Sequence, residues 1–190
     1  MSVPDVTIGS QINYGSKYRF TFFRNTYFQL IFYHDVRTED YYFSPTNVTH
    51  CFGRYRYSLL SDLEKESIYK SSGKYEFLIH YPELTGNNYN WWRQSISPNI
   101  QTEKQNHTDE NDHYVIGYEN VSVYYTQNYW GGLALNALTN KLYLNGCINS
   151  LMWYYGIGAY GVETGIPGPS GATYLKRVAL YAKINSLDMI

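Results

Sequence analysis

The groups in this chain able to do acid–base, nucleophilic or metal chemistry are few, and their spacing assembles no complete catalytic set. His34-Asp35 pairs a base with a residue able to orient it. Neighbours on a strand face opposite ways, however, and no Ser or Cys nucleophile elbow accompanies them, so a structural polar pair at a strand end is expected. His80 and Glu83, three residues apart, flank a strand end and read the same way. Zinc needs clustered His and Cys, and His50-Cys51 has no second pair at finger spacing. Asp109-Glu110-Asn111-Asp112 offers oxygen ligands for calcium but lacks the spaced acids and glycine of a dedicated loop, so a solvated charge run is the stronger reading. Gly156 and Gly158 have no glycine-rich continuation into a helix, and Gly165-Ile166-Pro167-Gly168-Pro169 is a rigid turn without an amide cradle for phosphate. No enzyme activity, metal or cofactor is expected.

Aromatic recognition is the chemistry the composition favours. The chain has 23 Tyr and 4 Trp, too many for every ring to belong to a core, so some are expected on a contact surface. Trp91 or Trp92, with Tyr129 and Trp130, has the ring type that stacks on sugars, and Asn128 and Asp112 could bind hydroxyls. The same rings could anchor another protein.

The elements that would position these residues read as strands. Lys17 to Arg24 and Thr26 to His34, separated by Asn25, read as two strands or as one long strand with a kink, the second run apolar on nearly both faces like a strand inside a packed sheet. Tyr75, Phe77, Ile79 and Tyr81 alternate along a strand closed by Pro82, and Tyr89 to Gln94 forms the next, with Trp91 and Trp92 pointing to opposite faces, one of them core and the other nearer the surface. Ser61-Asp62-Leu63-Glu64 matches a capping box and predicts a short helix whose inner face is Leu59, Leu60, Leu63 and Ile68, stopped by Ser71-Ser72-Gly73. The polar run Asn99 to His113 predicts a long exposed loop. Strand character resumes over Tyr114 to Thr126, around Leu142-Tyr143-Leu144 and over Trp153 to Ile157. Thr173 to Ile184 fits strand and helix spacing equally, and its neighbours favour strand.

At 190 residues the chain is long enough for one sizeable core, and a single domain over 1–190 is expected. Short strands punctuated by Gly, Pro and Asn turns predict an all-β antiparallel β-sandwich or jelly roll with one short helix. A formal net charge of -1 gives none of the basic bias that nucleic acid requires. No segment is apolar for the length of a membrane span, and Met1-Ser2-Val3-Pro4-Asp5 does not begin a secretory leader, so a cytoplasmic protein is expected. Cys51 and Cys147 read as two small buried thiols rather than a disulfide framework.

The motifs Tyr81-Pro82, Trp92-Arg93-Gln94-Ser95, Ser97-Pro98, Gly117-Tyr118, Trp130-Gly131-Gly132-Leu133, Trp153-Tyr154-Tyr155-Gly156-Ile157-Gly158, Gly165-Ile166-Pro167-Gly168-Pro169 and Val178-Ala179-Leu180-Tyr181 occur in this order. In that order they resemble a fibrinogen-related-like C-terminal module of extracellular animal proteins, including skeletal organic matrix proteins. With Ile31-Phe32-Tyr33-His34-Asp35-Val36 included, nearly the whole chain resembles small proteins of trichomonad flagellates. The resemblance divides the domain into an N-terminal half to about residue 72 and a module over about 73–185. It implies a non-enzymatic structural or adhesive module. The expectation is therefore a structural, protein-binding module in a cytoplasmic assembly, specifically a cytoskeletal or axonemal microtubule assembly with tubulin or axonemal proteins as partners. The alternative is a lectin-like module that binds carbohydrate.

Overall fold

The computed structural model of the protein describes residues 12–14, 18–37, 43, 47–100, 114–126, 130–135, 142–148, 154–158, 165–169 and 173–185. The fold is all-β and antiparallel. In chain order the strands are β1 (Ile12–Tyr14), β2 (Tyr18–Phe23), β3 (Thr26–Asp35), β4 (Cys51–Phe52), β5 (Arg56–Ser58), β6 (Lys70–Ser71), β7 (Lys74–His80), β8 (Tyr89–Gln94), β9 (Glu119–Val123), β10 (Ala134–Leu135), β11 (Leu144–Asn145), β12 (Ile166–Pro167), β13 (Tyr174–Leu175) and β14 (Arg177–Lys183). The main sheet runs β1-β2-β3-β14-β7-β8-β9, with β5 beside β3, β4 beside β5 and β6 beside β7.

Turn chemistry fixes the hairpins. Arg24 and Asn25, between β2 and β3, both take positive φ, the conformation that lets a two-residue turn follow the twist of its strands. Ser72 and Gly73 do the same between β6 and β7. The ambiguous C-terminal run is strand. β14 lies between β3 and β7 in the middle of the sheet, with Val178, Leu180, Ala182 and the following Ile184 all in the larger core.

The short helix expected after Leu59 takes the form of two 3-10 turns, Leu60–Asp62 and Ser67–Tyr69. Neither turn has a side-chain cap, so the Ser61–Glu64 capping box does not form. The backbone there is already committed elsewhere: the Leu59 amide donates to the Ile31 carbonyl and the Ser61 amide to the Thr49 carbonyl. Leu59, Leu60, Leu63 and Ile68 are nevertheless buried, as expected of the inner face.

Each face of the sheet carries a core. On the first, Tyr75, Phe77, Ile79 and Tyr81 share one side of β7 and its exit, as their alternation predicts, and meet Trp92, Val178 and Leu180. A second layer covers them, made of the β10–β11 and β12–β13 ladders, the Leu144–Ile157 bridge and the Trp130–Leu133 segment. The result is a sandwich. Its second layer consists of short ladders and turns, and among the described residues the full second sheet of a jelly roll is not formed.

The opposite face closes on itself. Leu78, Tyr89, Trp91, Ala179 and Tyr181 pack with Phe28, Leu30, Tyr57 and Leu59. Phe23 on β2 stands 5.7 Å from the Trp91 ring on β8, and Arg24 reaches Ser122 on β9 at 3.4 Å. In a flat sheet β2 and β8 would be ~19 Å apart, four strand spacings, so the sheet is coiled with this face on the inside. Two bulges increase the coil. Pairing skips Ile31 opposite Leu180 and Tyr181, and skips Val121 opposite Trp91 and Trp92. The first bulge also turns both Ile31 and Phe32 toward the larger core, although they are adjacent in sequence.

Candidate functional site

Trp91, Trp92 and Trp130 are core residues, which corrects the surface stacking expected of them. Trp92 has no exposed surface, Trp130 3% and Trp91 7%. Trp91 and Trp92 do point to opposite faces, but the coiled inner face buries Trp91 too, so neither takes the position nearer the surface expected of one of them. The Trp91 indole donates to Glu76 Oε1 at 2.8 Å, and the Trp92 indole donates to Gln94 Oε1 at 2.8 Å. The Trp130 ring meets Trp92 edge-on at 4.8 Å and lies 4.7 Å from Tyr155. Among the described residues no indole face is left to take a sugar ring. Asn128, Tyr129, Asp112 and the acidic run Asp109–Asp112 lie outside the described residues.

Gln94 brings two of the sequence motifs together. Its buried amide oxygen also accepts the Leu133 amide at 3.0 Å, while its nitrogen donates to the carbonyls of Ile96 and Leu133. One side chain thus joins Trp92-Arg93-Gln94 to Trp130-Gly131-Gly132-Leu133, and its polar atoms are satisfied where water cannot reach.

The remaining candidate acids and bases are occupied or isolated. His34 packs between Phe32 and Phe43 while Asp35 faces the other way, so the two form no base–orienter pair. Burial raises the Asp35 pKa, but bonds from the Arg37 guanidinium and amide outweigh it and the carboxyl is held below its ordinary value. The Tyr33 hydroxyl donates to the same carboxylate, and burial together with that charge pushes it up to about 12. Glu83 accepts the amides of Lys176 and Arg177 and the Arg177 guanidinium, which fixes the start of β14. Cys51 is half-buried, Cys147 is buried, and neither is in a disulfide. Among the described residues no group of three His, Cys, Asp or Glu could hold a metal ion.

Among the described residues a groove opens on the inner face at each end of β14, whose inward residues read Arg177, Ala179, Tyr181, Lys183. The groove of about 370 Å³ at the Lys183 end is internally paired. Glu76 receives Trp91, Arg93 and Lys183, and Glu119 receives Lys74 and Arg93. The groove of about 440 Å³ at the Arg177 end is not. Arg19, Arg37, Arg54 and Arg177 line it, with Tyr33, Asp35, Tyr55, His80 and Pro82. Asp35 answers Arg37 and Glu83 answers Arg177. Arg19 lies over the Tyr57 ring at 5.5 Å and Arg54 over the Tyr55 ring at 5.3 Å, and neither has a carboxylate partner among the described residues. This gathering of arginines is absent from the sequence reading because its members are spread from position 19 to position 177 in a chain of net charge -1.

The outer surface carries a second feature. β9 is the last strand of the sheet, and among the described residues no strand pairs with its free edge. Tyr114 (55% exposed), Ile116 (52%) and Tyr124 (61%) flank it. Tyr114 stacks on Tyr118 at 4.9 Å, and the Ser95 amide anchors this segment by donating to the Ile116 carbonyl.

Comparison of the chain with protein-family models, with curated proteins and with solved structures finds no match.

Proposed function

We propose that this chain is a non-catalytic, protein-binding module that docks through β9 and its flanking rings. The observation that carries this reading is the coincidence of a strand edge left unpaired among the described residues with three large exposed side chains, Tyr114, Ile116 and Tyr124. A free edge offers amides and carbonyls that a partner strand can complete, and exposed rings beside it give such a partner apolar surface to bury. Tyr is suited to this because its ring is rigid and its hydroxyl tolerates water.

The partner in this proposal is a protein of a larger assembly, and the flagellate resemblance makes an axonemal or other cytoskeletal assembly the first place to look. The test is retention of the chain on salt-washed cytoskeleton. Tyr114→Ser, Ile116→Ser and Tyr124→Ser, combined in one chain with unchanged melting temperature, should reduce retention at least tenfold. Equal retention of the variant and the parent refutes docking through β9.

A further inference from the structure

The geometry points to the arginine-lined groove at the Arg177 end of β14 as a binding site for a phosphate monoester. It lies on the inner face of the sheet and does not depend on docking through β9.

Four arginines line the groove, and among the described residues Asp35 and Glu83 each engage one of them. Among the described residues Arg19 and Arg54 remain without a carboxylate, each held against a tyrosine ring that keeps its planar fork oriented. A carboxylate would neutralise one of these charges. A phosphate monoester carries about -1.5 to -2 at neutral pH and offers three acceptor oxygens, which suits two forks at once. The groove, at about 440 Å³, is larger than a phosphate group, leaving room for an attached body against Tyr55 and Pro82.

His80 provides an independent observation. It lines the same groove and is 6% exposed, and neither ring nitrogen has a hydrogen-bond partner. A buried imidazole in this condition lacks the partners that buried polar groups ordinarily have, and a ligand oxygen entering the groove would supply one after a small side-chain adjustment. The opposite groove is the contrast. Its cations are all matched by Glu76 and Glu119, and no such ligand is assigned to it.

The experiment is calorimetric titration of the full chain at ~0.15 M salt, near physiological ionic strength, with phenyl phosphate, benzoate and a phosphotyrosyl peptide. Phenyl phosphate should bind saturably and at least tenfold more tightly than benzoate. Arg54→Gln, on an exposed side chain, and Arg19→Gln should each weaken it at least tenfold, and Lys183→Gln in the opposite groove should leave it unchanged. A peptide that binds at least tenfold more tightly than phenyl phosphate identifies a phosphorylated protein as the natural source, and equal affinities identify a small phosphorylated molecule. Absence of saturable binding, benzoate binding as tight as phenyl phosphate, or unaltered affinity in Arg54→Gln overturns the assignment.

Discussion

The rings of Phe23 and Tyr89 meet edge to face at 5.2 Å although β3, β14 and β7 lie between their strands in the sheet. Only a strongly coiled sheet brings them together, and the coil is what buries Trp91 and shapes the grooves at both ends of β14. A double-mutant cycle on Phe23→Ala and Tyr89→Ala should therefore show a coupling of about 0.5–1.5 kcal/mol by chemical denaturation. Additive effects mean that the two edges do not meet.

Gln94 makes a second prediction. Gln94→Leu keeps the bulk but strips partners from the Trp92 indole and from the amide and carbonyl of Leu133. With each orphaned buried group costing about 1–3 kcal/mol, the loss should be about 3 kcal/mol or more in denaturant unfolding. A loss below about 1 kcal/mol would show that the Trp130–Leu133 segment is not held by this side chain.

Gly146 tests the packing of the second layer. A Cβ there would stand 2.5 Å from the Trp130 ring and 2.7 Å from Tyr155 Cβ, so Gly146→Ala must displace one of two buried aromatics. Overpacking of this kind costs about 1–3 kcal/mol, and a lowered melting temperature is the expected readout.

His80 gives a pH dependence with a definite sign. Burial, aided by the Arg177 charge, lowers its pKa from 6.5 to about 4 in the folded chain. Between these values the unfolded state binds the proton more readily, so the contribution is present above pH 6.5 and is lost as pH falls toward 4. The loss is about 2–3 kcal/mol, measured as the difference between the parent and His80→Phe across that window. Parallel stability curves for the two proteins would contradict a neutral, buried His80.

The strands were legible in the sequence wherever alternation was strict. Tyr75 to Tyr81 shows its inward residues directly, whereas Val178 to Ile184 fits helix spacing as well and only its strand neighbours favour strand; Asn25 marks a break without deciding between a hairpin and a kink. The burial of both Trp91 and Trp92 was not legible for a physical reason: alternation tells which face a side chain occupies, but not whether a distant strand folds over that face. The capping box at Ser61 failed similarly, because local spacing carries no information about the Ile31 and Thr49 carbonyls that take the amides of Leu59 and Ser61. The arginine groove draws on β2, β14 and the loops after β3 and β4, and no local pattern links Arg19, Arg37, Arg54 and Arg177.

The most direct test of the binding surface places a photo-crosslinking amino acid at Ile116, at Tyr124 and, as a control, at Tyr174, which is 45% exposed but lies on β13, in a ladder separate from the sheet that ends in β9. In native cell extract, positions 116 and 124 should yield the same discrete adduct, and position 174 should not. An adduct common to all three positions, or none from 116 and 124, would contradict docking through β9.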